Sequence, residues 1–118
     1  MSQYCDLPPT KNYIKPRRWL VSDLWKESDT MQAYEEDVDL LWDLYKNRFC
    51  WTLYGEDIDN EFFLNHMKRI LMADLNYAII LTEEDYIMDG VHRLLKCKYL
   101  GRKKILCVKF KKDPPSIK

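Results

Sequence analysis

The tightest constraint on this chain lies in residues 86–110, where every local signal agrees on one arrangement. The short apolar run Tyr86-Ile87-Met88 meets Asp89-Gly90, and Val91, Leu94, Leu95 and Tyr99 then recur at three- and four-residue steps. Gly101 follows, and Ile105, Leu106, Val108 and Phe110 complete the stretch. This pattern predicts a strand, a tight turn at Asp89-Gly90, a helix ended by a left-handed glycine, and a second strand. Mixed α and β structure is therefore required.

The start of that helix is also the best candidate for chemistry. The first backbone N–H groups of a helix have no partner inside it, and the helix dipole makes that end attractive to negative charge. A glycine there lets a ligand come close to the main chain, so an anion such as a nucleotide phosphate fits. His92 and Arg93 lie in the first turn and diverge from the apolar face, and Arg93 offers a planar fork of donors suited to phosphate oxygens. Lys96 lies one turn beyond His92 and extends the same site, or is an ordinary surface lysine. Asp89 is either a helix cap, a ligand for magnesium, or the acceptor of a proton from an attacking hydroxyl. An Asp-Gly pair before an amphipathic helix is also a common structural device, so a purely structural reading stands beside the functional one.

Upstream, residues 18–24 are aromatic and β-branched enough to predict a strand. Asp29 or Thr30 then caps a predicted helix whose stripe is Met31, Tyr34, Val38, Leu41, Trp42 and Tyr45. Residues 47–54, with Phe49, Trp51 and Leu53 in alternation, suit a strand or a buried loop. The acidic run Glu56, Asp57, Asp59 and Glu61 suits the positive end of a second helix reaching about Ala73, with Ile58, Phe62, Met67, Ile70 and Leu71 as its buried side. Residues 77–81 read as a buried strand, and Thr82-Glu83-Glu84-Asp85 as a polar turn that makes a hairpin with residues 86–88. Glu83, Glu84 and Asp85 are solvated turn residues or a second source of carboxylate near Asp89.

The chain has 118 residues, 47% of them hydrophobic, which suits one domain spanning 1–118 with a real core. Prolines at 8, 9, 16, 114 and 115 predict extended tails at about 1–16 and 113–118. No run of some twenty apolar residues occurs, and residues 1–10 lack the features of a signal peptide, so a cytoplasmic protein with no membrane partner is expected. Cys5, Cys50, Cys97 and Cys107 are scattered, with only His66 and His92 to help, so reduced thiols packed as small apolar groups are expected and no metal site is assigned. His66 reads as structural, and Trp19, Trp25, Trp42 and Trp51 as core or interface.

The zero net charge conceals an asymmetry. Residues 1–89 hold nine Lys or Arg against eighteen Asp or Glu, whereas residues 90–112 hold nine Lys or Arg and no acid. This basic unit either attracts an anionic partner or pairs with acids of its own fold.

The segment Asp89-Gly90-Val91-His92-Arg93-Leu94, with the Leu100-Gly101 pair and the strand 105–110, resembles the signature of the ParB and sulfiredoxin-like superfamily. The match covers about residues 77–110. The resemblance implies an α+β fold with a small mixed β-sheet flanked by helices. It implies that Gly90, Val91, His92 and Arg93 line a phosphate site, with Lys96 beside them, and that ATP or CTP with magnesium is the ligand. Val91 stands where sulfiredoxin has its reactive cysteine, which argues against sulfiredoxin chemistry. Asp89 stands where the free serine kinase type has an aspartate, which keeps phosphoryl transfer or NTP hydrolysis as a candidate with Asp89 as its catalytic residue. The alternative is a non-catalytic module that binds protein or DNA, such as an accessory or phage-type regulator that retains the fold.

Overall fold

Alternation along three short strands decides the layering. Ile79 and Leu81, Ile87, and Ile105 and Cys107 turn to one face of a sheet, while Ile80, Met88 and Val108 turn to the other. In the computed structural model, which describes residues 3–48 and 59–118, each face is covered by its own layer. The elements are β1 (Tyr4–Leu7), β2 (Arg17–Leu20), α1 (Val21–Ser28), β3 (Tyr34–Asp37), α2 (Val38–Arg48), α3 (Asn60–Met72), β4 (Ile79–Leu81), β5 (Ile87–Asp89), α4 (Val91–Leu100) and β6 (Lys104–Lys109). The fold is α+β.

Four strands form a mixed sheet in the order β3-β6-β4-β5, with β4 parallel to β6 and the other pairs antiparallel. The β4–β5 hairpin closes where Thr82 N–H donates to Tyr86 O at 2.8 Å, and Asp85 takes the left-handed conformation with φ 65°. From β5, α4 carries the chain across β4 to β6, as the alternating periods of residues 86–110 require. Val38 and Leu41 of α2 and Leu94 and Cys97 of α4 fill the first face. Cys5, Leu7, Trp19 and Leu24, from the β1–β2 hairpin and α1, fill the second. Each fully buried leucine contributes about 1.5–3 kcal/mol through lost contact with water.

Several expectations need correction upstream. The strand expected over 18–24 stops at Leu20, and Val21 opens α1, because pairing with β1 (Cys5 opposite Trp19) ends there and Asp23 suits the positive end of a helix. The helix expected from Asp29 or Thr30 begins only at Val38. Tyr34–Asp37 is instead the strand that pairs with β6, Asp37 facing Lys104 across the ladder with a 2.6 Å ion pair. The helical spacing of Tyr34 with Val38 and Leu41 was real but misleading there, since the backbone edge of β6 and its lysine took precedence. Residues 49–58 lie outside the described residues, and with them most of the 47–54 segment and the acidic start expected at Glu56.

α3 is present but is not buried as expected. Asp59 caps it, its carboxylate accepting Phe62 N–H at 2.8 Å. Phe62, His66 and Ile70 are partly buried, His66 against His92 of α4, while Met67 and Leu71, expected inside, are exposed with Phe63 and Leu64.

The segments expected as extended tails are tied into the domain. Residues 4–7 form β1, and the C-terminal segment is anchored where Trp19 Nε1 donates to Pro114 O at 2.9 Å and Ile117 N–H to Arg18 O at 2.9 Å. Beneath them, buried Arg17 pairs with buried Asp113 at 2.6 Å, and the guanidinium lies 3.7 Å from the ring centre of Tyr13 and 4.9 Å from that of Trp19. Among the described residues, no helix is long and apolar enough to cross a membrane.

Candidate functional site at the start of α4

Gly90 is demanded twice at the start of α4. Its φ is +107°, which side-chain-bearing residues rarely adopt, and a Cβ there would sit 2.5 Å from Ile79 Cγ2. The glycine therefore presses α4 against β4 and accepts the N–H groups of Arg93 and Leu94 at 3.0 and 3.2 Å. No side chain caps this helix, and its first turn holds no acid. The positive end of the dipole is accordingly left without an internal countercharge from a cap.

Asp89, the default cap, is used otherwise. Its Oδ2 accepts the indole N–H of Trp25 at 2.9 Å and lies 3.8 Å from Arg93 Nη1. Arg93 Nη1 also donates to Ala78 O at 3.1 Å, and its guanidinium lies 5.8 Å from the Tyr77 ring centre. Both side chains keep about a quarter of their surface in contact with solvent, 22% for Arg93 and 25% for Asp89. Together they line a cavity of about 560 Å³ on the second sheet face, walled by Trp25, Met31, Tyr77, Ile80, Leu106 and Val108. Its chemistry is an apolar wall with the Asp89 carboxylate and the Arg93 guanidinium held beside each other and Asp29 also on the lining, a form suited to a small molecule with a flat body and a polar group.

The other sequence-derived candidates are not brought to this cavity. Val91 is partly buried and packs against the first core cluster, so only its main chain belongs to the helix start. His92 turns toward α3, with its Nε2 3.1 Å from His66 Nδ1. Burial first, and then the neighbouring His66 and Arg69, push the His92 pKa down to about 4 from its ordinary 6.5, so its ring is neutral at pH 7. Lys96, expected beside the phosphate site, instead donates to Leu71 O at 2.9 Å and Ala73 O at 2.8 Å, satisfying carbonyls at the end of α3. The i to i+4 spacing of His92 and Lys96 correctly placed them on one side of α4; the neighbour on that side is α3, which local spacing cannot reveal.

The turn carboxylates are engaged elsewhere. Glu84 accepts the Thr10 hydroxyl at 2.6 Å, Asp85 pairs with Lys109 at 2.8 Å, and Glu83 holds the Tyr13 hydroxyl, raising that phenol to about 12. The basic C-terminal unit likewise meets acids of its own fold, through Lys98–Asp39 at 3.1 Å, Lys104–Asp37 at 2.6 Å and Lys109–Asp85. Cys5, Cys97 and Cys107 are free, buried thiols, and desolvation raises Cys5 and Cys107 to about 12, which leaves them protonated and unreactive. Among the described residues no three His, Cys, Asp or Glu side chains cluster as metal ligands.

Trp25, Met31 and Tyr77 join the cavity without having been assigned to it from sequence, and nothing local distinguishes them from other apolar residues. Trp25 and Met31 meet Asp89 because α1 and the loop after it fold back over the sheet, and Tyr77 because it leads into β4 beside them. Comparison with protein-family models, with curated proteins and with solved structures finds no match for the chain.

Proposed function

We propose that the chain is a nucleotide-binding domain of ParB/sulfiredoxin type that holds phosphate at the start of α4. The observation that carries this reading is the uncapped, glycine-led helix start with Arg93 beside it at the rim of a cavity of about 560 Å³. In this reading the phosphates take hydrogen bonds from main-chain amides near Gly90 and Val91 and from Arg93, and the apolar wall with Trp25 and Tyr77 takes the base. His92, turned toward His66 on α3, has no part in it. Lys96 has no part in it while it holds the end of α3.

Asp89 is the residue on which any phosphoryl transfer or NTP hydrolysis would depend. One of its oxygens holds Trp25, and Oδ1 accepts no hydrogen bond from the described residues, which suits it to the magnesium that accompanies ATP or CTP. Binding rests on the helix start and Arg93, and catalysis on Asp89.

The test is a thermal melt with magnesium and ATP, ADP or CTP. A ligand at a hundred times its Kd stabilises the folded state by about 2.7 kcal/mol, and Arg93→Ala removes that gain. Asp89→Asn separates the two halves, abolishing turnover while leaving most of the melting shift. No shift with any nucleotide counts against the site.

A second reading is favoured by one observation. α3 buries no side chain and exposes Phe63, Leu64, Met67, Leu71 and Met72, an apolar surface of the kind used to contact another protein. A non-catalytic protein-interaction module, of the accessory or phage-regulator kind, is the function this would serve. DNA binding has less support, because Lys98, Lys104 and Lys109 are engaged with Asp39, Asp37 and Asp85.

A further inference from the structure

α3 is joined to the domain by an unusual contact. It buries no side chain completely and packs on α4, with His66 the side chain that reaches across to it. His66 Nδ1 lies 3.1 Å from His92 Nε2, with the ring centres 5.2 Å apart, and the Phe62 ring is tilted against His66 with centres 4.3 Å apart. A hydrogen bond between two imidazole nitrogens needs one N–H and one lone pair, so at least one ring must be neutral. With both rings protonated there are two donors and no acceptor at that spacing.

We propose that the His66–His92 pair is an acid-sensitive clasp, and that protonating both rings releases α3 from α4. The groups that face His92 make the charged state costly. His66 and Arg69 approach from α3 and Arg93 from its own helix, all cationic or able to become so, against the carboxylate of Asp89 on β5 among the described residues. Asp89 is already shared with Trp25 and Arg93. A second imidazolium would therefore face more positive than negative charge, and separating the helices lets water solvate it. A further tie, from Lys96 to the carbonyls of Leu71 and Ala73, lies at the C-terminal end of α3.

The direction with pH follows from the depressed His92 value. In an opened form the ring has its ordinary pKa near 6.5, whereas in the closed form it is about 4. Above pH 6.5 both forms are neutral and the clasp is at full strength. As pH falls from 6.5 to about 4 the opened form takes up a proton that the closed form refuses, so opening becomes steadily more favourable; below about 4 the closed form is protonated as well and the effect levels off. Allowing for the partial exposure of the pair, the opening equilibrium shifts by roughly 10- to 100-fold across this window. No nucleotide or other ligand is required.

The experiment is an NMR titration of the full chain, following the His ring protons and the backbone amides of α3, β4 and β6 from about pH 7.5 to about pH 3.5. The expected result is that α3 amides change and lose protection between about pH 6.5 and 4 while β4 and β6 amides hold, and that His92→Gln or His66→Gln removes this transition. Two results would overturn the clasp: α3 amides unmoved while the His92 ring titrates in the wild-type chain, or the same α3 transition at the same midpoint in both variants. The wild-type titration decides the matter even if a variant folds poorly.

Discussion

α3 and α4 lie against each other and each has a well-defined start, yet one is built into the domain and the other is laid upon it. α4 sends Leu94 and Cys97 into the first core, at 0% and 1% exposure, and is bounded by Gly90 and Gly101, both in the left-handed region. α3 has the better N-cap, with Asp59 bonded to Phe62 N–H, and a longer run of apolar residues, but none of its side chains is buried. Caps and an apolar stripe establish that a helix forms; the depth at which it sits depends on whether a sheet face is available opposite the stripe. α4 faces β4 and β6, whereas the main partner of α3 among the described elements is α4.

Substitutions in the two helices sharpen or break this contrast. The largest effect is expected from Leu94→Ala, which empties a fully buried site and should cost about 3–5 kcal/mol in a urea unfolding curve. A cost under 1 kcal/mol there, where about 3 is the least expected, would put α4 in the same class as α3. Next comes Gly90→Ala, at about 2–4 kcal/mol, because left-handed strain adds to a collision with Ile79. Gly101→Ala provides the control, since its added Cβ meets nothing within 4 Å. Strain alone makes it cost about 1 kcal/mol, and equal costs at the two glycines would show that the Ile79 contact relaxes freely. The smallest effect belongs to α3: Leu64, 64% exposed, should tolerate Ala within about 0.5 kcal/mol by the same measurement. A clearly larger loss would mean that the apolar face of α3 is covered in solution, for instance by a second copy.

The same division separates what was legible along the chain from what was not. Residues 77–110 could be read because each signal was local and each agreed with its neighbours: short apolar runs for β4, β5 and β6, a polar turn at Thr82 to Asp85, and glycines at both ends of one helical period. Residues 18–45 misled for the opposite reason. Tyr34, Val38, Leu41 and Tyr45 are in helical register, but Tyr34 belongs to a strand because β6 offered an unpaired edge and Lys104 a partner for Asp37. At the site, the sequence identified Asp89, Gly90, His92 and Arg93 as a unit; the structure divides them between a cavity shared with Trp25 and a contact with His66.

By itself, then, the sequence determined the local conformation around α4: the need for glycine at position 90, the helix that follows, the strand after it, and the alternation that gives the sheet two apolar faces. These depend on φ, ψ and periodicity, which act over a few residues. Only the tertiary structure decided which side chains share a space. Trp25 reaches Asp89 across 64 positions and His66 reaches His92 across 26, and such meetings arise from how layers pack, a competition among burial, strand edges and charge that no short window contains.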